Sequence, residues 1–253
     1  MTRRVAVLLF ALAPAFAADP ALPSGASLMD RYIDVTGGKA AYEKHKSAVE
    51  TGRMEFAALG LKGTLVTYSA DPDEYYSSMD LDGVGRIDMG VTHGVAWENN
   101  PLTGPRVKSG EERLQAIREA RLNSSYHWRD LYQKAETTGL ETVDGEDCYK
   151  VELTPAEGKP VMMYFGKESG LLKKTTLVAA SQMGDIPAEL IAQEYKVFGG
   201  ILTPSKVLQK AAGQEFTITI DSVKDDVEIP PERFALPAVI QALLDSAKDK
   251  PEK

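Results

Sequence analysis

The hydrophobic pattern of the chain changes from a helical period to a period of two near residue 48. Before that point, Leu28, Ile33 and Val35 recur on one side of a predicted helix that Ser27 could cap and Thr36-Gly37-Gly38 ends. Beyond it, apolar and polar side chains alternate along short segments, and turn residues separate these segments about every ten positions. The alternation predicts half-buried antiparallel strands that form a meander.

Helical sequences interrupt this run of strands. Strong helix formers extend from Ser109 to Ala120, and a second helix is predicted from Trp128 to Lys134. Apolar positions from Leu236 to Ala247 fall on one side of a predicted C-terminal helix. The predicted class is therefore α+β: a single curved antiparallel sheet, an incomplete barrel of about eleven strands, that encloses the central helices and carries N- and C-terminal helices.

The N-terminus has the three parts of a secretory signal peptide. Arg3 and Arg4 precede an apolar run that ends in Ala15-Phe16-Ala17, with small residues at the positions a signal peptidase reads. We therefore divide the chain into a signal peptide at 1–17, a linker at 18–26, one domain at 27–247 and a polar tail at 248–253. Cleavage near Ala17 predicts a periplasmic or secreted protein.

Charge and cysteine content narrow the class of partner. The formal net charge of −8 argues against a nucleic-acid partner. Cys148 is the single cysteine, so the chain can form no internal disulfide. The first position after the predicted cleavage site is Ala18 and not a cysteine, which predicts that the protein carries no lipid anchor of the bacterial lipoprotein kind.

The usual signs of catalysis are missing. His45, His93 and His127 have no ligand-like neighbours in sequence, and Gly166-Lys167-Glu168-Ser169-Gly170 has the wrong spacing for a nucleophile elbow. We predict a protein without catalytic residues, metal or cofactor. A pair of carboxylates brought together by the fold stays open, because sequence spacing does not exclude it.

Apolar side chains are concentrated on one predicted face. Those expected to share one face of the first half of the sheet are Met54, Phe56, Tyr75, Met79, Leu81, Ile87, Met89, Val95 and Trp97. Leu114 and Ile117 form an apolar row on the central helix. Methionine and aromatic side chains together make an adaptable apolar surface, which is either a filled core or the lining of a cleft for an acyl chain.

A set of residues in the first strands forms a recognisable pattern: Lys62-Gly63-Thr64-Leu65, Tyr68, Pro72, Tyr75 and His93-Gly94-Val95-Ala96-Trp97-Glu98. With these residues, most of Ser47 to Phe234 resembles the periplasmic outer-membrane lipoprotein carrier family (LolA/LolB-like), and an uncharacterised exported bacterial branch of it. The resemblance implies a half-barrel whose apolar cavity shields acyl chains. Family carriers use an arginine on an early strand; Arg53 is the nearest candidate, but its predicted outward direction argues against that role.

The predicted function is a soluble exported binding or carrier protein that holds a lipid or lipoprotein acyl group in an apolar cavity. The alternative is a non-catalytic accessory module that binds an envelope protein through a sheet edge or the C-terminal helix. The least favoured hypothesis is a hydrolase that uses buried carboxylates.

Overall fold

A computed structural model describes residues 21 to 248 of the 253-residue chain. The predicted signal peptide, its cleavage site near Ala17, the start of the linker and residues 249–253 of the tail lie outside the described residues. Localisation therefore stays a prediction.

Thirteen strands form one antiparallel sheet. Their bounds are β1 Ser47–Phe56, β2 Leu61–Ala70, β3 Glu74–Leu81, β4 Gly85–Thr92, β5 Val95–Asn100, β6 Gly104–Val107, β7 Lys134–Val143, β8 Glu146–Thr154, β9 Val161–Gly166, β10 Leu172–Ser181, β11 Gly184–Phe198, β12 Ile201–Ala211 and β13 Gln214–Asp225. The helices are α1 Gly25–Val35, α2 Lys39–Lys44, α3 Gly110–Ala120, α4 Trp128–Leu131 and α5 Ala238–Lys248, with short 3₁₀ helices at Ala57–Leu59 and Pro231–Arg233.

The sheet consists of two meanders, β1 to β6 and β7 to β13, which the pairing of β1 with β13 joins into one surface. Its edges are β6 and β7, and they do not pair, so the barrel stays open. The predicted α+β class and open antiparallel sheet are confirmed. Each half is built from neighbouring strands because hairpins need only short turns, whereas α3 and α4 fill the connection between the two edges.

The strands predicted from the sequence do not include β6 and β7. Strand β6 has only four residues, and β7 carries few apolar side chains because it is an edge strand with Leu140 exposed. The predicted helix from Trp128 to Lys134 is too long, since α4 ends at Leu131 and β7 begins at Lys134. Hydrophobic periodicity is weakest where a strand has one neighbour and little apolar surface to bury.

Helices α1, α2 and α4 pack on the second half of the sheet. The fully buried side chains of Met29, Val151, Leu153 and Phe165 lie at the centre of this cluster. Gly25 allows α1 to approach β7 closely, since a Cβ at this position would lie 2.5 Å from the backbone carbon of Ala135.

The start of α1 differs from the prediction that Ser27 caps the helix. Ser24, not Ser27, is the N-cap, and its hydroxyl oxygen accepts a 3.2 Å hydrogen bond from the backbone N–H of Ser27. The helix therefore begins at Gly25, inside the segment predicted to be linker.

Helix α5 and the chain before it cover one face of the first meander, and α3 packs on the other face. Phe234 and Ile240 pack there against Tyr76 and Trp97, whose ring centroids are 6.2 Å apart. Val239 and Leu243 of α5 remain exposed. The predicted apolar side of this helix is thus only partly used, with Ile240 as its fully buried anchor.

Within residues 21 to 248, no helix combines the length and the apolar character needed to cross a bilayer.

Candidate ligand-binding cavity

A cavity of about 890 Å³ lies between the sheet and the helices. We call the face of the sheet that lines it the inner face. Strands β1 to β4, β12 and β13 form its floor, and Tyr32 of α1 and Tyr42 of α2 border it. Residues 119–125, at the end of α3 and directly after it, form part of its wall. Its volume lies in the range of about 300–1,000 Å³ that is typical of small-molecule sites.

Strand register arranges the lining in rows that cross the sheet. Ile220, Gly52, Leu65, Met79 and Ile87 are successive partners in one row. The next row towards the end of β1 contains Ile218, Met54, Gly63 and Leu81. Because side chains alternate between faces with a period of two, every second row faces the cavity, and these two rows are wholly apolar.

Phe56 and Phe216 extend this apolar part beyond Met54. Their rings stack with centroids 4.7 Å apart, and both line the cavity. We call the part formed by these two rings and the two rows above the apolar end.

The opposite part of the cavity, the polar end, consists of the next two rows. Glu50, Thr67 and Ser77 are partners in one row, and the Thr67 and Ser77 hydroxyl oxygens are 3.1 Å apart. In the row beyond, Tyr75 lies opposite Ser69, and both line the cavity. The cavity is therefore graded along the strands from polar to apolar.

Carboxyl groups line the polar end. Burial, followed by the charge of Asp225, raises the pKa of Glu50 above its usual value. Burial likewise raises the pKa of Glu119, although a hydrogen bond from Gln115 and the charges of Lys108 and Arg118 oppose the rise. Glu50 is half-buried and thus lies where water hydrates it poorly, whereas the side chain of Glu119, at the end of α3, is exposed.

Tyr75 lies near both of these acids. Burial is the main reason that its pKa is raised, and the charges of Glu50 and Glu119 raise it further. The hydroxyl of Tyr75 therefore stays protonated and can donate a hydrogen bond at neutral pH.

Arg121, immediately after α3, also lines the polar end. Its Nε is buried and has no hydrogen-bond partner within the described part of the chain.

Helix α3 is held against the sheet by polar contacts on both sides of the opening. On the β5–β6 side, Arg106 donates hydrogen bonds to Glu112 at 2.6 Å and to Glu98 at 2.8 Å. On the β10 side, Gln115 accepts a 3.1 Å hydrogen bond from the backbone of Ala180, and Arg118 donates to the carbonyl of Glu157. Helix α3 therefore bridges the two meanders on the side where their edge strands β6 and β7 do not pair.

The structure brings together seven of the eleven side chains proposed from sequence as cavity lining. These are Met54, Phe56, Tyr75, Met79, Leu81, Ile87 and Met89. Ligand binding by them stays a prediction, but their shared position follows from the alternation along β1, β3 and β4.

The other four lie elsewhere. Trp97 lies on the outer face with Tyr76 and Phe234, so its assignment to the shared face is wrong. Val95 has the same parity along β5 and also points away from the cavity. Ile117 packs on the inner face against Val91, Ala96 and Ala120, outside the cavity, and Leu114 does not line it either. Alternation within so short a strand as β5 does not reveal which face is the inner one.

Sequence reasoning missed the polar end and the contribution of the last strands. Phe216, Ile218 and Ile220 do share a face, as their alternation indicates, but only the pairing of β13 with β1 places them in the cavity. Glu50 and Thr67 look like solvated strand positions, and only their register brings them together inside.

The other candidate residues, Cys148 and Arg53, do not line the cavity. Within residues 21 to 248, no group of three or more His, Cys, Asp or Glu side chains is placed to hold a metal ion. Cys148 is buried beside Val143 and Tyr164, and burial raises the pKa of its thiol. Arg53 is exposed and pairs with Asp221 at 2.7 Å, which confirms its outward direction.

A second groove, of about 650 Å³, crosses the ends of β10 to β13. It is more open to solvent than the cavity, and its charged residues Lys210 and Glu215 already form an ion pair.

The fold and the cavity define a class of protein: an open antiparallel sheet wrapped around helices, with an amphipathic cavity on its inner face. Comparison with solved structures shows that this is a LolA-like fold.

Three structures illustrate the likeness. A LolA superfamily protein from Nitrosomonas europaea has a TM-score of 0.58 at 14% identity and covers 85% of this chain and 99% of its own. A DUF1329 family protein from Desulfovibrio piger has a TM-score of 0.56 at 18% identity, covering 85% and 98%. A domain classed with outer membrane lipoprotein-sorting proteins, from Vibrio parahaemolyticus, has a TM-score of 0.52 at 13% identity, covering 81% and 95%. At such identities the likeness concerns the fold.

No protein-family model matches the chain, and no curated protein is significantly similar to it in sequence.

Proposed function

We propose that this protein is an exported carrier that holds a lipid or a lipoprotein acyl group in the cavity, and that it acts by binding, without catalysis. The observation that carries the proposal is the graded cavity of about 890 Å³, whose apolar rows lie on the inner face of the sheet. A hydrocarbon chain bound there would be removed from contact with water, and this stabilises a complex by roughly 25 cal/mol for each Å² of apolar surface buried.

The LolA-like fold supports this proposal, because one solved relative of that fold is classed with outer membrane lipoprotein sorting. Transport through the periplasm is part of the proposal and depends on the signal sequence before Ala18. N-terminal sequencing of protein from the periplasmic fraction tests it, since export predicts a chain that begins near Ala18.

Displacement of a fluorescent apolar probe tests the cavity. We expect 1-N-phenylnaphthylamine to bind the folded protein, and long-chain fatty acids or lysophospholipids to displace it. Native mass spectrometry of protein purified from the periplasm should detect bound acyl species. A protein that neither binds the probe nor carries an acyl species would overturn the proposal and favour the protein-binding alternative.

Two neighbouring positions on β2 provide a matched pair of variants. Leu65 lies in an apolar row of the cavity, whereas Val66 is the next residue and points to the outer face. We expect Leu65→Trp to weaken probe binding about tenfold by filling the cavity, equivalent to ~1.4 kcal/mol, and Val66→Trp to leave it unchanged. Equal effects of the two substitutions would place the probe outside the cavity.

A further inference from the structure

The polar end of the cavity contains one carboxyl group that no group within the described residues pairs with. Glu50 makes no hydrogen bond or ion pair within residues 21 to 248, although it is half-buried on the wall of the cavity. Glu119, at the end of α3, is exposed and already accepts a 3.0 Å hydrogen bond from the side-chain amide of Gln115. A poorly hydrated carboxylate without a partner is costly, so a group such as Glu50 is normally paired.

We propose that the ligand is a cationic amphiphile, whose ammonium group binds Glu50 beside the hydroxyl of Tyr75, with its hydrocarbon chain along the apolar rows. This inference rests on the proposed function and names the chemical class of the ligand.

More carboxyl groups than cationic groups line the polar end, although Lys108 and Arg118 lie close enough to Glu119 for their charges to lower its pKa. Three carboxyls line it, from Glu50 on β1, Glu119 on α3 and Asp225 on β13, against the one guanidinium of Arg121. Asp225 is also 4.0 Å from Nδ1 of His45, so its charge is partly engaged outside the cavity. The other titratable groups on this wall are the hydroxyls of Tyr32, Tyr42 and Tyr75, and burial raises the pKa of each.

Arg121 adds a second feature that points to the ligand. Its buried Nε has a hydrogen to donate and no acceptor within residues 21 to 248. An ammonium group beside a phosphate, as in an ethanolamine headgroup, would satisfy the Glu50 carboxyl and this donor together.

The length of the cavity fits one hydrocarbon chain. Glu50 and Phe56 lie six residues apart on β1, and at ~3.3 Å per residue they are roughly 20 Å apart along the strand. Between them, Leu65, Met54 and Leu81 face the cavity without a charged neighbour in their rows. The head and the tail of an amphiphile thus have separate, matching places.

Displacement of the apolar probe by three amphiphiles of equal chain length tests the proposal on the unaltered protein. The competitors are decylamine, decanol and sodium decyl sulfate, each used below its micelle concentration. We expect decylamine to bind at least about tenfold more tightly than decanol, as one charge-assisted hydrogen bond would provide, and decyl sulfate to bind most weakly. Equal binding of decylamine and decanol, or tightest binding of decyl sulfate, would overturn the inference.

Lysophosphatidylethanolamine and lysophosphatidylglycerol distinguish the source of the cation. A preference for the ethanolamine lipid similar to that for decylamine indicates an aminophospholipid, whereas a preference for decylamine alone indicates a simple amine. If no competitor displaces the probe, or the probe itself does not bind, the proposed function fails as well. Binding of all three decyl competitors with equal affinity refutes only the cationic head.

Glu50→Gln assigns the effect to the cavity. It keeps the shape of the side chain and should remove most of the advantage of decylamine over decanol. Glu55→Gln is the matched control, because Glu55 lies on the same strand, is exposed and pairs with Lys62 on the outer face at 3.5 Å. An advantage that persists in Glu50→Gln, or that is lost equally in Glu55→Gln, contradicts the assignment.

The same preference should decline in acid. The raised pKa of Glu50 means that this carboxyl becomes neutral at a higher pH than an exposed glutamate does. Decylamine itself stays fully protonated at neutral and acidic pH, since alkylammonium groups titrate near 10.4. As the pH is lowered, its affinity should therefore fall towards that of decanol before exposed glutamates become neutral, and a ratio that stays constant until they do would contradict the role of Glu50.

Discussion

Arg106→Met should destabilise the protein by removing the ionic attachment of α3. Arg106 is 17% exposed and binds two carboxylates, with distances of 2.6 Å to Glu112 and 2.8 Å to Glu98. Methionine fills similar space without charge, so both acids lose their main partner while they remain largely buried. Lys108 lies 3.9 Å from Glu98 and 3.8 Å from Glu112 and compensates in part.

The expected loss follows from these contacts. Removing one partner of a buried ion pair costs about 3–5 kcal/mol, and the nearby lysine reduces this to ~2–4 kcal/mol. For a domain of this size, 1 kcal/mol corresponds to about 2–4 °C in Tm, so Tm should fall by roughly 4–16 °C. Urea unfolding, followed by circular dichroism and tryptophan fluorescence, measures the free energy directly.

Arg53→Met is the control. Arg53 is 64% exposed and makes one ion pair, with Asp221, for which water and salt screening leave at most about 0.5 kcal/mol. If the two substitutions cost the same, or if Arg106→Met costs less than about 1 kcal/mol, the α3 attachment is not what stabilises this part of the fold.

The pH dependence gives a second measurement on the same contact. Burial raises the pKa of Glu112, but the hydrogen bonds from Arg106 and the charges of Lys108 and Arg106 lower it more, so the net shift is downward. Unfolded glutamate titrates near 4.3, so this contribution to stability is complete above about pH 4.3 and is lost as the pH falls through the lower folded value. Arg106→Met should reduce this acid-sensitive part of the free energy of unfolding.

Three further predictions concern the outer face of the sheet and the contacts of His45 with Gly199 and Asp226, which we call the His45 clasp. Burial lowers the pKa of His45, but bonds to Gly199 and Asp226 raise it more; its contribution is therefore complete below about pH 6.5 and is lost as the pH rises through the folded pKa. Thermal unfolding should show this loss in the unaltered protein and not in His45→Asn. Trp97→Ala should cost ~3–5 kcal/mol in urea unfolding without changing probe affinity, because Trp97 packs on the outer face. Gly90→Ala should cost ~1–3 kcal/mol, because its Cβ would lie 2.8 Å from the Trp97 ring, and this cost should vanish in a Trp97→Ala background.

Each of these has a contrary result. A stability profile of His45→Asn that matches the unaltered protein would show that the clasp does not titrate. Weaker probe binding in Trp97→Ala would place that ring near the ligand, and additive costs of Gly90→Ala and Trp97→Ala would show that the two residues do not share the contact.

Local pattern determined much of this fold from the sequence alone. The period of two along a strand fixes that Tyr75 and Met79 of β3 share a face, as do Ile87 and Met89 of β4, because the pleat leaves no other choice once the strand exists. The helix from Gly110 and the turn glycines are likewise local properties of the chain. The same reasoning failed for β7 and for the short β5, where packing against other elements outweighs local preference.

Only the tertiary structure decided which faces enclose space. The pairing of β1 with β13 joins residues separated by about two-thirds of the chain, and no local signal specifies that contact. This pairing, with the register of β1 to β3, places Glu50 opposite Thr67 inside the cavity and Phe216 beside Phe56 at its far end. The α5 segment covers the other face and so buries Trp97 away from the cavity. The sequence by itself determined an alternating, amphipathic sheet. The long-range strand pairs determined which charged side chains lie inside the cavity, because the energy of a carboxylate depends on surroundings that only the folded chain supplies.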